Sequence, residues 1–281
     1  MRSPRDHVLL RPRWGGPRSR PAFTLVEMLA AVGIIGLLLG MLLPSLGAAR
    51  RISLQTTCAA NLHSWGQALH LYTAGNNSML PHTDDRARNP IPGTYCPDHP
   101  EHEYCYIDLL APLMGNQAWR DYLPGQKPTG GVWQCPAAKA LSDDAYGSGY
   151  KPSAEGYHSY AMNSYLEQDF EYGLPSGAAL QPSFLDLVRC TAPSKTLFMF
   201  EQTLDPSCGY GQAGGLSTAG RETAEDARAL GERHPHRSGD LGANVVMLDG
   251  HTDWRNDLWD KTRRNPRAPK RGDLTWFPYW Y

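Results

Sequence analysis

Ala22-Phe23-Thr24-Leu25-Val26-Glu27 separates a leader carrying six arginines from an apolar run that reaches Leu46, and the carboxylate of Glu27 decides how the rest is read. A lone carboxylate at the start of a lipid-facing helix costs several kcal/mol unless it finds a partner. A cut between Ala22 and Phe23 creates one, the new α-ammonium of Phe23, in the same chain or in a neighbour packed alongside. Cleavage and assembly are thereby linked through one charge pair. From Met28 to Leu43 sixteen residues run without a charge, beyond the apolar core of about 7–15 residues found in a secretory signal peptide. Such a signal also gives no reason for an acid at its head. Against a plain membrane anchor only the string Phe-Thr-Leu-Val-Glu speaks, so that string carries the inference.

The string resembles the class III signal of type IV pilins and type II secretion pseudopilins: a small residue, Phe-Thr-Leu-Val/Ile-Glu, then a hydrophobic helix. The likeness covers residues 20–46, and Pro44, the twenty-second residue after the cut, fits it as well. Ala22 stands where the family usually has Gly. The resemblance implies that a prepilin peptidase removes residues 1–22 and that Phe23 is N-methylated. It further implies that the helix packs against other pilin or pseudopilin subunits beside a secretion or pilus assembly machinery, with Glu27 recruiting the Phe23 ammonium of a neighbour. The expected fold is α+β, a long N-terminal helix on a small antiparallel β-sheet head with long loops.

Charge places the parts. The leader holds Arg2, Arg5, Arg11, Arg13, Arg18 and Arg20 against Asp6, a net +5, so the chain's −1 becomes −6 after its removal. The basic leader stays cytoplasmic by the positive-inside rule, which puts a single-pass helix in the inner membrane and the head outside the cytoplasm, in the periplasm or at the cell surface. An acidic head disfavours general nucleic-acid binding. The expected division is a leader over 1–22, a transmembrane helix over 23–46, an amphipathic stalk over 47–75 and a loop-rich head over 76–281 with a basic aromatic tail from about 255. Beyond Pro44, Leu54, Cys58, Leu62, Trp65, Leu69 and Tyr72 recur every three or four residues and form one apolar face. Gly75-Asn76-Asn77 is the expected stop, and Pro44 is expected to kink or open the helix near the membrane face.

Six cysteines, Cys58, Cys96, Cys105, Cys135, Cys190 and Cys208, in a chain expected to face an oxidising compartment favour disulfides. Residues alone leave fifteen pairings open, with Cys96 and Cys105 the easiest pair to close because a short loop joins them. The family resemblance implies a Cys58–Cys135 bridge between stalk and head. In the head, Tyr106–Met114 reads as a short element, Tyr157–Asn163, Thr196–Phe200 and Asn244–Leu248 as strands, and Glu222–Leu230 as a short helix.

A second resemblance, to a large-headed pilin-like subgroup, lies in a His followed by a strand and Asp-Gly, here His236, Asn244–Leu248 and Asp249-Gly250. Twelve residues separate His236 from Asp249 where the subgroup usually has about nine, and the extra ones near Asp240-Leu241-Gly242 are expected to lengthen the turn. His236 with Asp249 lacks a nucleophile in recognisable context, so a turn-fixing hydrogen bond is the better reading. Cys96, Asp98, His99, His102 and Cys105 have zinc-ligand types without a zinc spacing. Asp240, Asp249, Asp253 and Asp257 have the oxygens that Ca²⁺ uses, but solvated acids are the plainer account. Gly209–Gly214 matches a dinucleotide fingerprint in spacing but follows no buried strand, and reads as a loop. The tail combines seven basic residues from Arg255 to Arg271 with an aromatic end, and reads as a linker docking that end on the head rather than a strip on which nucleic-acid bases stack. No cofactor and no enzymatic activity are expected. The reading is a structural subunit of a pilus or pseudopilus. Its rival is a membrane-anchored enzyme or ligand-binding protein that uses a pilin-like helix only as its tether.

Overall fold

The apolar run and the amphipathic face that follows it are one helix, α1 (Leu25–Gly75), in a computed structural model. The structure describes residues 24–81, 106–123, 125–128, 130–146, 151–163, 166, 187–205, 223–224, 229–236, 239–256 and 274. The chain divides into two compact units, Met1–Ala48 and Ala49–Tyr281, so the second half of α1 belongs with the head. In the first unit the apolar side chains from Leu25 to Leu46 are exposed, and the helix is long and apolar enough to cross a membrane. Pro44 lies inside α1, which continues through it, and the Ser45 hydroxyl donates to the Leu42 carbonyl at 2.8 Å. The helix ends at Gly75, but the left-handed residues of the stop are Asn77 and Ser78 rather than the glycine. The Ser78 N–H donates back to the Thr73 carbonyl at 2.8 Å.

In the second unit α1 buries Cys58, Leu62, Trp65, Gly66, Ala68, Leu69 and Thr73, the face that the three-and-four spacing predicts, with Leu54 and Tyr72 at its half-buried margin. Each fully buried leucine there contributes about 1.5–3 kcal/mol. The face rests on a six-stranded sheet of β1 (Tyr160–Asn163), β2 (Leu197–Glu201), β3 (Thr223–Ala224), β4 (His234–Pro235), β5 (Leu241–Met247) and β6 (Thr252–Arg255). The pairs β1–β2, β2–β5, β4–β5 and β5–β6 are antiparallel, whereas β3 joins the edge of β1 in parallel. Thr223–Ala224 is thus strand in place of the helix expected over Glu222–Leu230, and of the other described residues in that stretch Ala229 is 3-10 helical and Leu230 is not. Leu230 instead bridges to Gln202.

Alternation divides the strands between two apolar clusters. Tyr160, Met162, Val246 and Leu248 pack with the α1 face, while Ala161, Ala243, Val245 and Met247 pack with Ala229, Leu230 and Leu274. A register shift between Leu197 and Met199 lets Phe198 and Met199 share one cluster, since a bulge breaks the period of two. Both sheet faces are covered, which explains why Asn244–Leu248 reads as a continuous apolar run. Between α1 and β1 the chain forms α2 (Tyr106–Leu110), α3 (Pro152–Glu155) and several 3-10 turns. Trp65 donates its indole N–H to the Val132 carbonyl at 2.7 Å and meets Trp133 edge-on at 5.5 Å. Trp133 in turn lies 4.9 Å from Trp119, which lies 3.9 Å from the ring of His158.

Candidate functional site

Two places carry chemistry, one in each unit. At the start of α1, Thr24 and Glu27 form a reciprocal cap. The Glu27 N–H donates to Thr24 Oγ1 at 3.3 Å, and Glu27 Oε2 accepts from the Thr24 N–H at 2.9 Å and the Thr24 hydroxyl at 2.8 Å. This is a capping box, in which two otherwise unpaired helix-end donors are satisfied together. The carboxylate therefore has partners in its own chain. The signal was present as Thr-x-x-Glu before an apolar run, although Glu27 draws attention first as a charge in lipid. Ala22 and Phe23 lie outside the described residues.

In the head, a polar cluster sits inside the core. Cys58 of α1 and Cys135, just after the 3-10 turn Gly131–Trp133, form the disulfide that the family resemblance implies, at a sequence separation of 77. The Cys135 N–H donates to the Ser159 hydroxyl. Against Cys135 Sγ, at 3.2 Å, lies Nε2 of His234 from β4. The same Nε2 is 3.1 Å from Oε1 of Glu201, the last residue of β2. Asn244 of β5 donates to that oxygen at 2.9 Å and, at 3.4 Å, to the Gln55 carbonyl on α1. His234 and Glu201 are only 1% and 0% exposed. Arg233 points its guanidinium at the Gln202 carbonyl and interacts electrostatically with Glu201, while burial draws its own pKa below the usual arginine range. Burial, seconded by the negative charge of Glu201, raises the Tyr160 phenol well above its ordinary value.

The motif residues sit around this cluster rather than in it. His236 opens the β4–β5 turn: its N–H donates to the Asp240 carbonyl at 2.8 Å, and its ring stacks on Trp254 at 4.7 Å. Of the two β4-end histidines the buried one is His234, two residues earlier. Leu241 and Gly242, expected in the lengthened turn, instead open β5 and pair with His234–Pro235. Asp249 accepts from the N–H and ring Nδ1 of His251, at 3.1 and 2.5 Å, so the turn-fixing hydrogen bond of its side chain runs to His251. Gly250 is required on two counts. Its φ of +87° is left-handed, as a three-residue hairpin loop demands, and a Cβ there would stand 3.2 Å from His70 Nε2. Gly66 of α1 faces the same turn, with an added Cβ 3.1 Å from the Gly250 Cα.

The acids considered for calcium are engaged differently. Asp249 is held by His251, and Asp253 pairs with Arg255 at 2.9 Å and accepts from the Trp254 N–H at 2.8 Å. Asp240 uses its backbone carbonyl in the β4–β5 turn. Asp257, Cys96, Cys105, Cys208, the His99–His102 segment, Gly209–Gly214 and the basic aromatic tail beyond 256, Leu274 apart, lie outside the described residues. Cys190 is buried, forms no disulfide among the described residues and lies 3.4 Å from the Thr196 hydroxyl.

Sequence reasoning missed Glu201, His234 and Asn244. A carboxylate closing the otherwise apolar string Leu197-Phe-Met-Phe-Glu201 was the available sign, since a charge is seldom fully buried without partners. Residues 17–43 match the model of the prokaryotic N-terminal methylation motif, so the chain carries a prepilin-type N-terminus, the hallmark of pilin-like proteins. No curated protein and no solved structure matches the chain.

Proposed function

We propose that this chain is a structural subunit of a type IV pilus-like filament or type II secretion pseudopilus. A prepilin peptidase cuts after Ala22 and the new Phe23 amine is methylated. The helix anchors the subunit in the inner membrane with its head on the extracytoplasmic side, and other pilin or pseudopilin subunits pack against the apolar residues up to Leu46. The observation that carries the reading is the methylation motif over residues 17–43 at the head of a helix whose apolar side chains from Leu25 to Leu46 are exposed. Such a surface needs lipid or a like helix around it. Glu27 then serves as the registration point, passing from its Thr24 cap to the ammonium of a neighbour. The role is mechanical, and an assembly machinery supplies the work of insertion.

Peptide mass spectrometry of the membrane fraction tests the reading. The expected result is a mature chain beginning at methylated Phe23. A mature start at Ala48, Arg50 or Met1 overturns it, because none of these leaves an ammonium beside Glu27.

A further inference from the structure

We propose that reduction of the Cys58–Cys135 disulfide converts the core cluster into a closed zinc site, with the two thiolates, Nε2 of His234 and the Glu201 carboxylate as its ligands. The potential ligand atoms of these four residues all lie within 4.8 Å of one another, and all four residues are buried. Tetrahedral zinc with bonds of about 2.0–2.3 Å places neighbouring ligand atoms roughly 3.3–3.8 Å apart, so only side-chain adjustment separates the cluster from that geometry. Two sulfurs, one imidazole and one carboxylate are the borderline-soft set that zinc takes in four-coordinate sites.

A second observation comes from Glu201. Its Oε1 is occupied by Asn244 and His234, yet its Oε2 is buried without a hydrogen-bond partner. An orphaned carboxylate oxygen inside a core is costly. A metal ion is the partner that satisfies it, and Asn244 fixes the carboxylate by the other oxygen, as outer-shell residues do for ligating groups.

Charge balance agrees. With Arg233 beside Glu201, the oxidised cluster holds one negative and one positive group. In the reduced, zinc-bound cluster three negative ligands are matched by the divalent ion and the same guanidinium. Both states are neutral, which burial requires. The chemistry is a two-electron reduction followed by ligand exchange. A dithiol reductant gives up two electrons and two protons as its own disulfide forms, the Cys58–Cys135 bond breaks, and two thiols result. Zinc then displaces both protons to solvent as two Zn–S bonds form, and its oxidation state does not change. In either state α1 stays tied to the segment at Cys135, so the head keeps its cross-link across a redox change.

The test uses the full chain in detergent, reduced with a phosphine and titrated anaerobically with Co²⁺. The expected result is about one Co²⁺ per chain, with the intense visible bands of a tetrahedral site and thiolate-to-cobalt charge transfer, both absent from the oxidised chain and both erased by Zn²⁺. Asn244→Ala should weaken binding about 10–100-fold, and His234→Ala and Glu201→Gln at least about as much. Absence of charge-transfer bands in the reduced chain overturns the proposal. So does unchanged affinity in both His234→Ala and Glu201→Gln, which would mean that the thiolates act alone. Because these side chains stand in the core, zinc-edge X-ray absorption of the unaltered reduced chain gives an independent answer. A shell of two sulfurs and two lighter atoms, one showing imidazole scattering, supports the site. Any other sulfur count, or no imidazole, refutes it.

Discussion

Lowering the pH should destabilise the head through His158, and the size of the effect follows from its surroundings. The ring packs against Trp119 at 3.9 Å, with Trp133 6.0 Å away. Burial, seconded by the positive charge of Lys127, pushes its pKa down to about 3 from the ordinary 6.5. For a base whose folded pKa lies below its unfolded one, the unfolded chain takes up the proton first. The stability is therefore fully present above about pH 6.5 and is lost as the pH falls toward 3. Between pH 7 and pH 5 the loss from this group alone is about 2 kcal/mol, since each unit of differential protonation is worth about 1.4 kcal/mol. Urea unfolding of the detergent-solubilised chain, followed by tryptophan fluorescence at pH 7, 6 and 5, measures it. His158→Phe keeps a ring in the slot but removes the titration, so the variant should lose about 2 kcal/mol less than the parent over the same range. Equal losses in the two proteins would show that His158 is not held neutral by burial.

Replacing Cys58 and Cys135 by serine frees a loop whose ends are separated by 77 positions in sequence and should lower stability by about 4–5 kcal/mol on the chain-entropy account. Urea midpoints at constant slope check this, and non-reducing peptide maps of the parent should contain the cross-linked pair. Glu27→Ala should leave cleavage and membrane insertion intact but abolish cross-linked ladders in membranes, because a neighbour's Phe23 ammonium then has no carboxylate to meet; equal ladders from mutant and parent would contradict the registration role. Gly66→Ala places a Cβ 3.0 Å from Val246 Cγ2 and 3.1 Å from the Gly250 Cα. Overpacking of this kind should cost about 1–3 kcal/mol, read as a lowered Tm, and an unchanged Tm would show that the β5–β6 turn can retreat from α1.

The helical parts were legible because periodicity is strong over long segments. Cys58, Leu62, Trp65 and Leu69 are the buried face of α1 as their spacing requires. The long strand was legible in type, since Val245, Val246 and Met247 form an apolar run with two β-branched residues. Its beginning was not, because Leu241-Gly242 shows no alternation and enters the sheet only through pairing with β4. Strands of two residues, β3 and β4, are too short for any period to register and are held by their neighbours. The same fact hid the core cluster: His234 is functional-looking only once β4 lies against β5, and local spacing favoured His236. The disulfide was legible through family resemblance, whereas its companions Glu201 and Asn244 approach it from distant strands that no single segment of sequence connects.

The cap at the head of α1 changes the arithmetic of filament growth. A carboxylate already held by the Thr24 amide and hydroxyl is not an open vacancy that any passing cation would fill. In an assembly of the proposed kind, docking a neighbour's ammonium on Glu27 is an exchange of one set of donors for another, and the net gain at that point is the difference between two satisfied states. Small differences run in both directions with little resistance. A joint built this way favours a polymer whose subunits can be returned to the bilayer as readily as they are drawn from it.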